Sequence, residues 1–188
     1  LPLSSLVVGG EARFSAALVD WFAAEPTLNV FNEYGPTEAT VGCCVYQVTA
    51  QDKGRIAIGT PTYNTQLYVL DKSGHPVLRG ETGDLFIAGR GLAKGYANNP
   101  EGTNESFGEW GNSDFLQGER LYKTGDLVRF TFTEPVQLAF IGRRDTQIKV
   151  RGYRIELSDI EVAIKSSGQV RMRWSLASKT VLKNKSWW

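Results

Sequence analysis

Ser5-Leu6-Val7-Val8-Gly9-Gly10 is a short apolar run that stops at a glycine pair, and it reads as a buried strand entering a turn. Working outward, Phe14, Leu18, Trp21 and Phe22 stand at i, i+4, i+7 and i+8. That spacing is the apolar stripe of an amphipathic helix, predicted over residues 11–24 and stopped by Pro26. Leu28 to Phe31 is apolar again and reads as a second strand. An opening of strand, helix and strand points to an α/β architecture.

From Val45 the texture changes. Short alternating or β-branched segments at 55–58, 66–70, 84–88, 127–132, 137–141 and 146–150 are separated by Gly, Pro, Asn and Asp turns such as Asp71-Lys72-Ser73-Gly74. They predict a distorted, barrel-like antiparallel β region. A helix is predicted over 157–164, with Ser158 or Asp159 near its start. The predicted organisation is a main body over residues 1–144, a hinge and the truncated start of a small α+β domain over 145–167, and a basic, irregular tail over 168–188.

Composition narrows the class. The 188 residues are 41% hydrophobic and 11% aromatic, enough for a packed core and unlike a disordered chain or a small disulfide scaffold. No apolar run approaches the roughly 18 residues of a membrane span. The only two cysteines, Cys43 and Cys44, are adjacent, so they build neither a disulfide framework nor a Cys-x-x-Cys metal pair, and a cytoplasmic location is expected. The lone methionine is Met172, and the chain is expected to begin inside a longer protein. Six of the 21 basic groups follow Glu161 and none of the 20 acids does, which leaves residues 1–161 at net −5. An acidic body argues against a nucleic-acid surface. The tail, with Trp174, Trp187 and Trp188 among its basic groups, reads as the product of a truncated or mis-spliced frame rather than as a membrane or partner anchor.

Four stretches carry chemistry. Asn32-Glu33-Tyr34-Gly35-Pro36-Thr37-Glu38 puts a tight turn, a hydroxyl and a carboxylate at the carboxyl end of a strand, where α/β proteins bind ligands. A Thr hydroxyl can hold a phosphate oxygen, a carboxylate can hold Mg²⁺, and Tyr34 can stack on a base. An ordinary turn with an N-cap Thr would read the same way. Gly89-Arg90-Gly91-Leu92-Ala93-Lys94-Gly95 fits neither phosphate-loop spacing, and its glycines read as a sharp turn with close packing. Asp126, in Tyr122-Lys123-Thr124-Gly125-Asp126-Leu127, reads either as a turn cap just before a strand or as the ligand of a ribose diol. The stretch Gly142 to Leu157, with Arg143, Arg144, Lys149, Arg151 and Arg154, reads as an exposed charged hairpin or as a polyanion contact with a hinge. His75, beside Pro76, is expected in an exposed turn.

In this order the four stretches resemble the adenylation domains of nonribosomal peptide synthetases, within the adenylate-forming ligases. The resemblance covers roughly residues 1–165, through Val8–Glu11, Asn32–Glu38, Gly83–Pro100, Tyr122–Leu127 and Gly142–Glu161. It implies a fragment of a ligase that condenses an amino acid with ATP to an aminoacyl-adenylate, a bound AMP moiety, and loads the product on the phosphopantetheine of a carrier protein. The alternatives are a non-catalytic remnant that binds adenine nucleotide weakly, and a fragment of an acyl-CoA ligase.

Position by position, the resemblance implies that Tyr34 stacks on adenine and Asn32 contacts its edge. Thr37 would hold phosphate and Glu38 Mg²⁺. Asp126 would take the ribose hydroxyls, Arg143 would reach ribose or phosphate, and Phe140 would lie beside the nucleotide. Asp145 would be the hinge, and Gly152 would approach the pantetheine arm. Val7, Gly9, Glu33, Val41 and Gly42 would line the pocket for the amino-acid side chain. Carrier and condensation domains of a parent enzyme are the implied partners, with no nucleic acid and no membrane. The family's phosphate loop and the Asp that pairs with the substrate amino group are expected upstream of residue 1, and Lys179, Lys183 and Lys185 do not match its catalytic-lysine motif, so the isolated chain is expected to be inactive.

Overall fold

The computed structural model describes residues 3–11, 15–110, 116, 118–145, 148–150 and 153–155, with helical positions at 160, 163, 164 and 166. The chain divides into two compact units, Leu1–Asp145 and Thr146–Trp188.

The first unit opens as the sequence predicts. Strand β1 (Ser5–Gly9) lies parallel to β2 (Asn29–Tyr34), with Ser5 beside Asn29 and Gly9 beside Glu33. Between them the described helix is shorter than the predicted one: a 3₁₀ turn over Ser15–Leu18 and then α1 (Val19–Ala24). β3 (Cys44–Val48) pairs antiparallel with β2, and β4 (Thr60–Pro61) with β3. Leu6, Val8, Val30 and Val48 pack with Leu18, Phe22, Leu28 and Ile56 on one face. Two expectations need correction here. β1 is not buried on both faces, because only Leu6 and Val8 point inward and Val7 is 59% exposed. Trp21, counted in the helix stripe, is half exposed.

The second sheet has the order β5-β6-β8-β7, with β9 following β7 along the same edge of β8, and every pairing in it is antiparallel. Its strands are β5 (Thr65–Leu70), β6 (Thr82–Gly89), β7 (Phe107–Gly108), β8 (Leu121–Phe130) and β9 (Leu138–Arg143). The register slips between Asp84 and Phe86 on β6, and between Leu127 and Val128 on β8. Such bulges bend and twist a sheet, and this one curls into a half-barrel. β6 reads Leu85-Phe86-Ile87-Ala88 without alternation because both its faces are covered. Leu85 and Ile87 join Cys43, Cys44, Val69, Tyr122, Val128 and Leu138, while Phe86 and Ala88 join Leu70, Leu116 and Leu121.

The predicted strand over 55–58 is not one. Its alternation reflects Ile56 and Ile58 plugging two cores from an irregular segment. Helix α2 (Pro100–Ser106) escaped the prediction, although Asn99 caps it by accepting the Gly102 N–H and Pro100 occupies its first turn. The 71–74 turn forms as expected, with Asp71 Oδ1 accepting from the backbone N–H of Ser73 and of His75, and His75 is exposed. In the second unit β10 (Ile148–Val150) and β11 (Tyr153–Ile155) form an antiparallel hairpin. The helix predicted over 157–164 falls mostly, and the tail entirely, outside the described residues. No described helix is long and apolar enough to cross a membrane.

Leu85 is fully buried at the centre of β6. Leu85→Ala is expected to cost about 3 kcal/mol, the usual range for a large-to-alanine change in a core being roughly 2–5. The urea midpoint followed by tryptophan fluorescence checks it.

Candidate functional site

β8 and β9 bring Asp126 and Arg143 directly opposite one another, and their side chains meet: Arg143 Nη1 donates to Asp126 Oδ1 at 2.6 Å. The same guanidinium donates through Nε and Nη2 to the two carboxylate oxygens of Asp145, at 2.7 and 2.6 Å, and through Nη2 to the Thr124 carbonyl. From β2, the Tyr34 hydroxyl donates to Asp126 Oδ2. Thr124 fixes the strand beneath, its hydroxyl donating to the Leu85 carbonyl and accepting from the Asp126 N–H. Gly125 has φ +75°, and a Cβ there would lie 2.8 Å from both Arg143 Nη2 and Asp145 Oδ2. A side chain there would be strained and would displace the Arg143–Asp145 pair. Four of the predicted site residues, Tyr34, Asp126, Arg143 and Asp145, thus form one network. Asp126 lies inside β8 and is not a cap before a strand.

Burial sets the electrostatics. Burial first, and then the Asp126 charge, hold the Tyr34 hydroxyl well above its ordinary pKa, so it remains a proton donor. Asp126 is buried, and the Arg143 guanidinium compensates its charge.

The remaining predicted residues surround this network. Asn32, on the same face of β2 as Tyr34, is buried and donates to the Ala57 carbonyl at 2.7 Å. Phe140 is half-buried against the core, and its carbonyl accepts from Arg55. After Gly35-Pro36 the chain makes a 3₁₀ turn over Thr37–Ala39, with Thr37 exposed and Glu38 buried. The Tyr96 hydroxyl donates to Glu38 Oε1 at 2.7 Å. Burial, then that bond, raises the Tyr96 pKa and keeps it protonated. Thr40 and Val41 follow in the left-handed region, at φ 58° and 65°, a strained choice for β-branched side chains. The Thr40 hydroxyl donating to the Gly91 carbonyl and the Val41 N–H donating to the Pro36 carbonyl hold them there. A Cβ on Gly35 would collide with the Val41 carbonyl. Gly9 and Glu33 are register partners, and Glu33 lies against Gly42. Gly152 lies outside the described residues.

Sequence reasoning missed two contributors. Asp84, buried on β6, takes Arg144 Nε and Nη2 at 2.6 and 2.7 Å, which fixes the residue between Arg143 and Asp145. Tyr96 orients Glu38. Both lie in stretches already singled out, but no spacing rule joins positions 84 and 144, or 38 and 96.

With this geometry in view, the comparisons define the class. The chain belongs to the AMP-binding enzyme family, whose model matches residues 2–97, about half of it. It is 42% identical over 164 residues to bacitracin synthase 3 of Bacillus licheniformis, across 85% of this chain and 2% of that protein. It is likewise 42% identical over 164 residues to aldehyde reductase lnaA of Aspergillus flavus, across 86% of this chain and 15% of that one. Among solved structures it resembles PA1221, an NRPS protein containing adenylation and PCP domains (TM-score 0.78, 33% identity, 87% of this chain and 33% of that). It also resembles the Vibrio cholerae adenylation domain AlmE in complex with glycyl-adenosine-5'-phosphate (TM-score 0.78, 29% identity, 90% and 32%). The chain therefore spans a small part of its curated relatives and about a third of these structural neighbours.

Two outcomes are expected. Arg143→Ala strands the buried Asp126 charge and should cost about 3–5 kcal/mol in urea unfolding, whereas Glu134→Gln, at the exposed Arg79 pair, should cost under about 1 kcal/mol. Burial pushes the Cys43 thiol from 9.0 up to about 12, so the folded state keeps a proton that the unfolded chain loses. That contribution to stability is whole below pH 9 and is lost as pH rises toward 12. Urea midpoints across pH 8–11 should fall, and less steeply in Cys43→Ala.

Proposed function

We propose that this chain is the carboxyl-terminal part of the large lobe, with the start of the small domain, of an ATP-dependent ligase. That ligase activates an amino acid as its adenylate and passes it to a phosphopantetheine thiol on a carrier protein. The observation that carries the reading is the Tyr34–Asp126–Arg143–Asp145 network: a buried carboxylate held rigid by a neutral hydroxyl and a guanidinium, at the carboxyl end of β2 in an AMP-binding family member. A carboxylate fixed on both oxygens keeps acceptor capacity for a ribose diol, since each oxygen offers two lone-pair sites. Arg143, beside it, supplies positive charge for ribose or phosphate. The Tyr34 ring and Asn32, on one face of β2, are assigned to adenine, with Phe140 alongside. The glycyl-adenylate bound to AlmE and the carrier domain joined to adenylation in PA1221 support the substrate and partner classes.

The step itself is an in-line attack. A carboxylate oxygen of the amino acid bonds to the α-phosphorus of ATP, the bond from that phosphorus to the bridging oxygen breaks, and pyrophosphate leaves. The protein's part is to fix two anions against their repulsion and to offset the charge. Thr37, exposed at the head of the 3₁₀ turn, is assigned to a phosphate oxygen. Glu38 is assigned to Mg²⁺, and its donor chemistry fits: it is an oxygen ligand on a rigid turn, oriented by a neutral Tyr96 hydroxyl. Among the described residues no group of three or more His, Cys, Asp or Glu could hold a metal. One carboxylate can hold Mg²⁺ when water and substrate phosphates supply its remaining oxygen ligands. When bound, Mg²⁺ neutralises phosphate charge. Asp145 is assigned as the pivot at the junction with the second unit, and a cytosolic setting suits two buried free thiols.

Amino-acid-dependent exchange of labelled pyrophosphate into ATP by the full-length enzyme tests the reading. Asp126→Ala should raise the KM for ATP by about 100-fold, as expected when a buried polar anchor is removed. Glu38→Gln should raise the Mg²⁺ concentration needed for half-maximal rate. Unchanged ATP dependence in Asp126→Ala sinks the ribose assignment.

A further inference from the structure

The glycine stretch over residues 89–95 fits no phosphate loop, yet it lies against the turn that carries Glu38, and with Tyr96 it grips that turn at three points. The Ala93 N–H donates to the Glu38 carbonyl at 2.8 Å. The Gly91 carbonyl accepts from the Thr40 hydroxyl at 2.6 Å. The Tyr96 hydroxyl donates to Glu38 Oε1 at 2.7 Å. A Cβ at 91 would lie 3.3 Å from the Ala39 carbonyl oxygen, so the loop also packs closely on the backbone of the turn. The loop is itself braced from two sides. Arg120 reaches in from the surface and donates through Nη1 to the Ala93 carbonyl and through Nη2 to the Lys94 carbonyl, with its guanidinium 4.7 Å from the centre of the Phe107 ring. Phe107 meets the Tyr96 ring edge-on, their centres 5.7 Å apart. From α2, Thr103 Oγ1 accepts the Tyr96 N–H at 2.8 Å. Gly95 permits that approach, since a Cβ there would lie 2.5 Å from Thr103 Cγ2.

We infer that the 89–96 loop is a clamp on the turn assigned to Mg²⁺, and that Tyr96, with Arg120 behind it, is a positioning residue that sets how tightly MgATP is held through Glu38. This rests on the ligase reading above and deepens it. A carboxylate on a three-residue 3₁₀ turn has little of its own to fix its rotamer. A hydroxyl on one oxygen fixes the plane of the group, while the bonds to the Glu38 carbonyl and from Thr40 fix the backbone beneath it. A ligating group that is already in place loses less freedom when the ion arrives, and the ion is held more tightly. A neutral donor suits this task better than a lysine or an arginine would. It orients the carboxylate without cancelling the charge that attracts the ion.

The test is Tyr96→Phe in the full-length enzyme, which keeps the ring and its packing on Phe107 and removes only the hydroxyl. The Mg²⁺ concentration for half-maximal pyrophosphate exchange should rise about 10-fold, the usual scale for losing a group that orients a metal ligand, with the KM for the amino acid unchanged. Arg120→Gln, which loosens the loop from outside, should shift the requirement in the same direction by less. A measurement without turnover separates positioning from bracing of the fold. In calorimetric titrations of ATP without amino acid, Tyr96→Phe should weaken binding about 10-fold in Mg²⁺ and leave it unchanged in EDTA. If Tyr96→Phe fails to fold, Arg120→Gln decides by the same readouts. An unchanged Mg²⁺ requirement overturns the proposal and makes the bond a brace of the fold. A lowered requirement also overturns it, and makes the bond a latch that withholds Glu38 from the ion. So does a loss of ATP affinity that is equal in Mg²⁺ and in EDTA. In each of these cases exchange by the unaltered enzyme leaves the ligase reading standing. A Glu38→Gln enzyme with an unchanged Mg²⁺ requirement overturns the metal assignment and the proposal together. No exchange with any amino acid by the unaltered enzyme overturns the ligase reading as well.

Discussion

A guanidinium that serves two carboxylates at once needs backbone fixed on every side of it, and the β8–β9 ladder provides that around Arg143. Asp126 faces Arg143 across the ladder, Gly125 clears the space above the strand, and Arg144 is tied separately to Asp84 on β6. β8 can hold these positions because it is the longest strand and pairs with β6, β7 and β9. The core under it, from Leu85 and Ile87 to Val128 and Leu138, keeps the ladder in register. Tyr34 then ties the parallel opening of the chain to the antiparallel half-barrel through one hydroxyl. Neither sheet alone assembles the network.

Polar groups that are buried in this way demand partners, and the partners come from far along the sequence. Asp84 and Arg144 are 60 positions apart, Glu38 and Tyr96 58, and Tyr34 and Asp126 92. Each is a carboxylate met by a cation or a hydroxyl, the combination that makes removal from water tolerable. The same logic explains why the loop after Gly35-Pro36 accepts two left-handed β-branched residues: the bond from Thr40 to Gly91 and the clearance over Gly35 over-determine its path.

What was legible in the sequence was whatever depends on local pattern. Apolar alternation and turn residues gave β5, β6 and β9 within two positions but only the last part of β8, and the order of short motifs gave the family. What was not legible depends on tertiary partners. Alternation at Ile56 and Ile58 looks like a strand but answers to two different cores. Trp21 sits in a helical stripe yet faces outward. Asp126 beside Gly125 looks like a turn, because the sequence cannot say that a neighbouring strand continues the ladder through a glycine at positive φ. Spacing also cannot choose which of Arg143 and Arg144 meets Asp126. The register does, and it assigns the other to Asp84.

The contact between Glu33 and Gly42 has a consequence for how such a surface changes over generations. Because the carboxylate rests on the bare α-carbon at 42, any side chain acquired there swings Glu33 to a new place while keeping its charge. Positions 33 and 42 are therefore not free to vary one at a time: the side chain tolerated at either depends on what the other already holds, although the two belong to different parts of the chain.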